Sequence, residues 1–221
     1  MPIKLDQAVD LYCERLEPGL WAEPVNAFTN AAFLLGAWFT YHLAKQFNLN
    51  SKSVRLLTAL MCVIAIGSGL FHTFANGLTH ILDVVPILLF QLLYVWFYCR
   101  EVIGMRADST AGILLVYLVA AITGRQFPEF LNGALIYAPA IVTLFVLGRS
   151  HLDARRPQPY VVMVAALLFV LSLGCRTIDA LVCPTFPVGT HFLWHLLNAA
   201  VLYLLMRGYL AGRNARVPAP P

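Results

Sequence analysis

Two pairs of polar side chains in this sequence sit four residues apart within otherwise apolar runs: Ser68 with His72, and His191 with His195. At that spacing both members of a pair lie on one face of a helix, one turn apart. Two imidazoles so placed can chelate one metal ion. A third imidazole nitrogen would complete a three-histidine site with one open position, the arrangement in which zinc lowers the pKa of bound water toward about 7. Asp83 and Asp179 are the carboxylates inside or at the ends of apolar runs, where ionisable groups are costly and tend to be functional.

Composition says what kind of element must hold these residues. The chain has 221 residues, of which 60% are hydrophobic and only 12% charged, with a mean hydropathy of +0.74. An ordinary soluble domain is about half apolar and about a quarter charged, so this chain lacks the charge to cover a water-facing surface. The same figures exclude disordered, collagen-like and coiled-coil classes. The net charge of +4 would suggest a nucleic-acid partner only if the 15 Lys and Arg clustered, and they are dispersed among the connections. The expectation is an all-α integral membrane protein with no nucleic-acid partner and no readable oligomeric state.

A bilayer core of about 30 Å needs about 20 apolar residues in a helix. Apolar runs at residues 25–44, 56–74, 81–98, 109–124, 130–147, 160–178 and 190–206 predict a seven-helix transmembrane bundle. Short connections favour one compact domain over 1–211, opening on an acidic segment, 1–24, and closing on a disordered tail, 212–221, that holds Pro218, Pro220 and Pro221. Asp6, Asp10, Glu14 and Glu17 stand where a signal peptide would need an apolar core, so the first span is expected to direct insertion.

Strict alternation of seven spans puts Lys45, Lys52, Arg55, Arg100, Arg106, Arg149, Arg155, Arg156, Arg207, Arg213 and Arg216 on one side, and Lys4, Arg15, Arg125 and Arg176 on the other. Basic loops stay in the cytoplasm, so the 11 to 4 division predicts an outside N-terminus and a cytoplasmic C-terminus. Short loops and the lack of a signal peptide fit a bacterial inner membrane protein. In this frame Ser68, His72, Asp83, His191 and His195 all fall at one depth, toward the periplasmic leaflet.

Each residue also has an ordinary reading. Ser68 could bond its own helix backbone. Asp83 could cap an interfacial helix end. His42 and His151 read as interfacial side chains, and His80 as either that or a partner to Asp83. Trp194 is expected to pack or to sit at the interface.

The run from Gly67 to His72, then Leu82-Asp83-Val84-Val85-Pro86, resembles the S-x-x-x-H and D-x-x-P elements of the alkaline ceramidases. Arg176 to Asp179 with Cys183, and His191 to His195, resemble that family's later motifs. Tyr12-Cys13-Glu14-Arg15 and Ala22 to Asn26 resemble its N-terminal calcium-binding region. The looser superfamily includes adiponectin-receptor-like proteins.

The resemblance implies a zinc-dependent amidase that cleaves the N-acyl amide of ceramide or a related membrane lipid, releasing a fatty acid and a sphingoid base. It implies that His72, His191 and His195 hold zinc, that Asp83 moves the proton, and that Ser68 stabilises the developing oxyanion. It implies a Cys13–Cys183 disulfide, leaving Cys175 unpaired and Cys62 and Cys99 as packing residues. Asp179 would orient a histidine or pair with Arg176. The family pattern D-W-C-E-x-N is altered, because Leu11 and Leu16 replace its Asp and Asn. Asp10, Glu14, Glu17 and Glu23 could still form a calcium site, or simply a solvated acidic segment.

Two other classes share these residues. One is a receptor-like or lipid-sensing seven-span protein with structural zinc. The other is a transporter with a proton relay, disfavoured by the absence of an inverted repeat.

Overall fold

The computed structural model describes residues 5–17 and 19–215. Its order is α1 (Pro24–Thr29), α2 (Ala31–Gln46), α3 (Lys52–Phe74), α4 (Gly77–Phe97), a π-helical turn (Tyr98–Ile103), α5 (Ala107–Gly124), a 3-10 stretch (Phe130–Tyr137), α6 (Ala138–Asp153), α7 (Val161–Val182) and α8 (His191–Asn214). Among the described residues the one β feature is an isolated bridge between Ala8 and Asn76. The chain is therefore all-α.

Local chemistry sets the helix ends. Ser51 caps α3 by accepting the Val54 N–H at 3.3 Å. Asn76 caps α4 by accepting the Thr79 N–H at 3.0 Å, while the Thr79 hydroxyl accepts the Asn76 N–H at 3.2 Å, so two otherwise unsatisfied donors are met reciprocally. Pro24 opens α1, where its missing N–H costs nothing. The first apolar run then breaks at Asn30 into α1 and α2.

Among the described residues, five helical segments are long and apolar enough to cross a membrane: Lys52–Phe74, Gly77–Ile103, Ala107–Gly124, Phe130–Asp153 and Val161–Val182. The α2 helix has only 16 residues. The α8 helix has 24, but His191, His195 and Asn198 dilute its hydropathy. Leu115, Val116, Val119 and Ile122 on α5, and Val142 and Val146 on α6, are exposed large apolar side chains that call for lipid rather than water.

The core runs along α8, which packs against α2 and α7, while α3 packs against α4. Met61, Ile64, Phe90, Tyr94, Met206 and Tyr209 are sealed within it.

Three expectations change. The fifth run is not helical throughout, because Leu131, Asn132 and Gly133 take left-handed backbone (φ 51, 52 and 70) and the α-helix starts only at Ala138. The segment from 212 is helical through Asn214: Gly212 lies against Val102, and Arg213 bonds Glu101 at 3.0 Å and Ser51 at 2.6 Å. The rest of the expected tail, 216–221, lies outside the described residues. His151 is fully buried rather than interfacial, between the Tyr98 hydroxyl at 2.5 Å and the Pro157 carbonyl at 3.1 Å.

Candidate metal centre

The last turns of α3 carry Ser68 and His72, the second turn of α4 carries Asp83, and the first turns of α8 carry His191 and His195. The two helices α3 and α4 meet backbone to backbone here. A Cβ on Gly67 would lie 2.1 Å from the Leu82 carbonyl oxygen, so only glycine permits the approach. It brings the next residue of each helix, Ser68 on α3 and Asp83 on α4, side by side.

His72, His191 and His195 form the one group of three or more potential metal-ligating side chains within mutual reach among the described residues. Their ligating atoms all lie within 4.8 Å of one another. All three are almost wholly buried, at 0%, 2% and 1% exposure. Each has one ring nitrogen that is buried with no hydrogen-bond partner: Nε2 of His72, Nδ1 of His191 and Nε2 of His195. An unmet buried polar atom costs about 1–3 kcal/mol. Three buried imidazoles that gather within 4.8 Å, each with an unpartnered nitrogen, fit a metal ion that accepts nitrogen ligands tetrahedrally and leaves a position open.

The other nitrogens explain which atoms are left free. Nδ1 of His72 lies 2.5 Å from Glu23 Oε2, and a carboxylate can only accept, so the proton sits on Nδ1 and the Nε2 lone pair is available. Nδ1 of His195 lies 2.9 Å from the Thr29 hydroxyl. The Thr29 hydroxyl also lies 2.8 and 3.0 Å from the Val25 and Asn26 carbonyls; with its one proton on either, it accepts from His195 Nδ1–H, which again frees Nε2. The Tyr12 ring stacks on His191 at 3.5 Å between centroids, closing the site from the N-terminal side. Burial pushes the Tyr12 phenol well above its ordinary range.

The N-terminal segment is fastened over this end of the bundle. Val9 N–H donates to the Ala75 carbonyl at 2.8 Å, and Gly77 N–H to that of Gln7 at 3.0 Å. Cys13 and Cys183 are joined by a disulfide, and Cys62, Cys99 and Cys175 are free. Glu23, only 1% exposed, takes the Arg15 guanidinium at 2.7 Å on its other oxygen. Burial alone would raise its carboxyl, but the His72 and Arg15 contacts outweigh this and hold it below the usual carboxylate range.

The structure assigns Asp179 a different job from those expected. It neither orients an imidazole nor pairs with Arg176. It accepts three backbone N–H groups, from Cys13 at 2.9 Å, Thr190 at 2.6 Å and His191 at 2.9 Å, and so caps α8 from a neighbouring helix. Gly189 makes room for it with a left-handed φ of 68, since a Cβ there would stand 2.2 Å from Asp179 Oδ1. Arg176 instead donates to the Asn132 carbonyl at 3.0 Å and lies over the Tyr137 ring. His80 packs on Phe71 at 5.2 Å between centroids, near enough to Asp83 to feel its charge. Trp194 is buried against Tyr137 and Phe169.

The four acids do not gather. Asp10 and Glu17 are exposed. Glu14 accepts the Val25 and Asn26 N–H groups, at 2.6 and 2.8 Å, which cap α1. Thr29 and Arg15 are contributors that the sequence did not single out. Arg15 stands inside an N-terminal motif, but nothing local marks its reach to the His72 carbonyl, 57 residues away, and nothing local links Thr29 to His195, 166 residues away.

An apolar cavity is lined by Phe33, Ile64, Phe90, Tyr94, Trp194 and Leu205 among others, with Gln91 and Asn198 as its amide groups; Trp194 and Asn198 share α8 with His191 and His195.

Compared with protein-family models, residues 13–214 match the one described as Ceramidase. None of the curated proteins compared with the chain matches it.

Proposed function

The chain belongs to the ceramidase family of hydrolases that act on the amide bond of ceramide, and on that premise we propose a zinc-dependent amidase working inside the membrane. The observation that carries the zinc reading is the gathering of three buried imidazoles, His72, His191 and His195, each of which has a ring nitrogen without a hydrogen-bond partner. Zinc bound there would supply Lewis acidity for the amide carbonyl and make water nucleophilic near neutral pH.

The chain's own groups supply the rest. Asp83 takes a proton from water as its oxygen attacks the carbonyl carbon, and delivers a proton to the departing nitrogen as the C–N bond breaks, leaving a fatty acid and a free amine. Ser68, beside Asp83, turns its one hydroxyl proton to the oxyanion that develops on the carbonyl. The cavity lined by Phe33, Phe90 and Leu205 is apolar and suits part of an acyl or long-chain-base tail.

The membrane arrangement belongs to the same proposal. The α1–α2 pair serves as the first span and α8 as the seventh, flanking the five segments apolar enough to cross unaided. The 11 to 4 division of basic residues favours an outside N-terminus, and the site then opens toward the periplasmic leaflet of a bacterial inner membrane.

The test is fatty acid release from a panel of N-acyl lipids by protein purified in detergent, beside His195→Ala and Asp83→Ala. Release from a ceramide by the parent chain and from neither variant is expected. Stoichiometric zinc with no release from any amide would turn the reading to a receptor-like protein.

A further inference from the structure

We propose that the Arg15 guanidinium is the built-in cation of the N-terminal segment, that this segment holds no calcium, and that Arg15 positions the metal ligand His72 through Glu23. The last part rests on the zinc reading above.

The residues present do not fit calcium. That ion takes about 6–8 oxygen ligands, usually with several carboxylates among them. Leu11 and Leu16, at the positions where the family pattern has Asp and Asn, offer no side-chain oxygen. Glu14 has both oxygens committed to the amides of Val25 and Asn26. Glu23 has Arg15 on Oε1 at 2.7 Å, and His72 and the Asn26 amide on Oε2 at 2.5 and 3.2 Å. Asp10 and Glu17 face solvent. A dication beside Glu23 would also meet the positive charge of Arg15, whose side chain is only 8% exposed and so poorly screened.

The same geometry shows what Arg15 does. Arg15 takes Oε1 of Glu23 at 2.7 Å, which turns the other oxygen, Oε2, onto Nδ1 of His72 at 2.5 Å; with Nδ1 held there, Nε2 is the nitrogen left to ligate. The guanidinium reaches two backbone carbonyls as well, those of Gly19 and His72, each at 3.4 Å. It therefore ties the segment, the carboxylate and the end of α3 at one point, which the fork of an arginine can do.

Parent chain, Arg15→Gln and Arg15→Lys, each purified in detergent, separate the possibilities. Calcium is titrated calorimetrically, melting is followed in 1 mM calcium and in EGTA, and zinc affinity is measured by competition with a chromophoric chelator. The parent is expected to take up no calcium and to melt alike in both buffers. Arg15→Gln is expected to hold zinc about 10- to 100-fold more weakly, the usual effect of losing a partner of a metal ligand. Arg15→Lys, which keeps the charge but not the fork, should recover only part of that loss.

Stoichiometric calcium binding by the parent would overturn the proposal. So would parent-like zinc affinity in Arg15→Gln, even if both variants melt earlier, because that pattern marks a merely structural role. A parent with no zinc at all would sink the proposed function instead, and Arg15 as resident cation would then stand or fall on the calcium titration.

Discussion

Nδ1 of His72 and Oε2 of Glu23 lie 2.5 Å apart with both side chains sealed from solvent, although 49 residues separate them. The contact joins the N-terminal segment to the end of α3 and decides which nitrogen of His72 is free. Metal-bound histidines characteristically donate their second nitrogen to a carboxylate or similar acceptor, and this pair has that form before any metal is considered.

The ligands and the proton carrier should separate cleanly. His72→Ala or His195→Ala is expected to remove zinc altogether. Asp83→Asn is expected to retain it, while amide hydrolysis falls by roughly 10²- to 10⁴-fold, the range typical of losing a positioned acid or base. Metal content and turnover measured on the same preparations check this, and an Asp83→Asn protein lacking zinc would make Asp83 a ligand instead.

Thr29 is expected to act through the tautomer of His195. Thr29→Val keeps the shape but removes the acceptor for Nδ1–H, at 2.9 Å in the parent. Zinc affinity should fall by about 10-fold or more. An unchanged affinity would show that the hydroxyl does not set which nitrogen binds.

The crossing of α3 and α4 at Gly67 admits no side chain. Gly67→Ala places a methyl 2.1 Å from the Leu82 carbonyl oxygen, and that atom belongs to the backbone. The helices must part, at about 1–3 kcal/mol or more, and Ser68 moves away from Asp83 as they do. A lower melting temperature together with lower turnover is expected; parent-like behaviour in both would mean the crossing is looser than described.

Asp179 serves backbone amides and is expected to matter to zinc through them. Asp179→Ala leaves the amides of Cys13, Thr190 and His191 without their acceptor, at about 1–3 kcal/mol for each that stays buried. The start of α8, where His191 sits, should loosen. Earlier melting and weaker zinc binding would follow, both partly restored in Asp179→Asn, which keeps one carbonyl oxygen. If Asp179→Ala alters neither, the cap is dispensable.

Much of this site is legible in the sequence because lipid makes polar residues conspicuous. Ser68 and His72, Asp83, and the His191–His195 pair stand out against apolar runs, and helical periodicity alone puts each pair on one face. What surrounds them is not legible. Thr29 and His195 are 166 residues apart, and no local pattern links them. Asp179 looks like a partner for a side chain and turns out to serve backbone amides, which leave no mark in a sequence. The break at Leu131–Gly133 hides in an apolar stretch, since hydropathy records composition and not backbone angle. His151 looks like a residue at a helix end in water, yet Tyr98 and the Pro157 carbonyl satisfy both its nitrogens inside the protein.

The central claim is that three converging imidazoles hold a zinc ion needed for amide cleavage. The most direct measurement is fatty acid release from a ceramide by the purified protein before chelation, after chelation, and after zinc is restored, with metal content read at each stage. The account predicts one zinc per chain, loss of release when the zinc is removed, and recovery when zinc but not magnesium is returned. Undiminished release from protein shown to be free of zinc would contradict it.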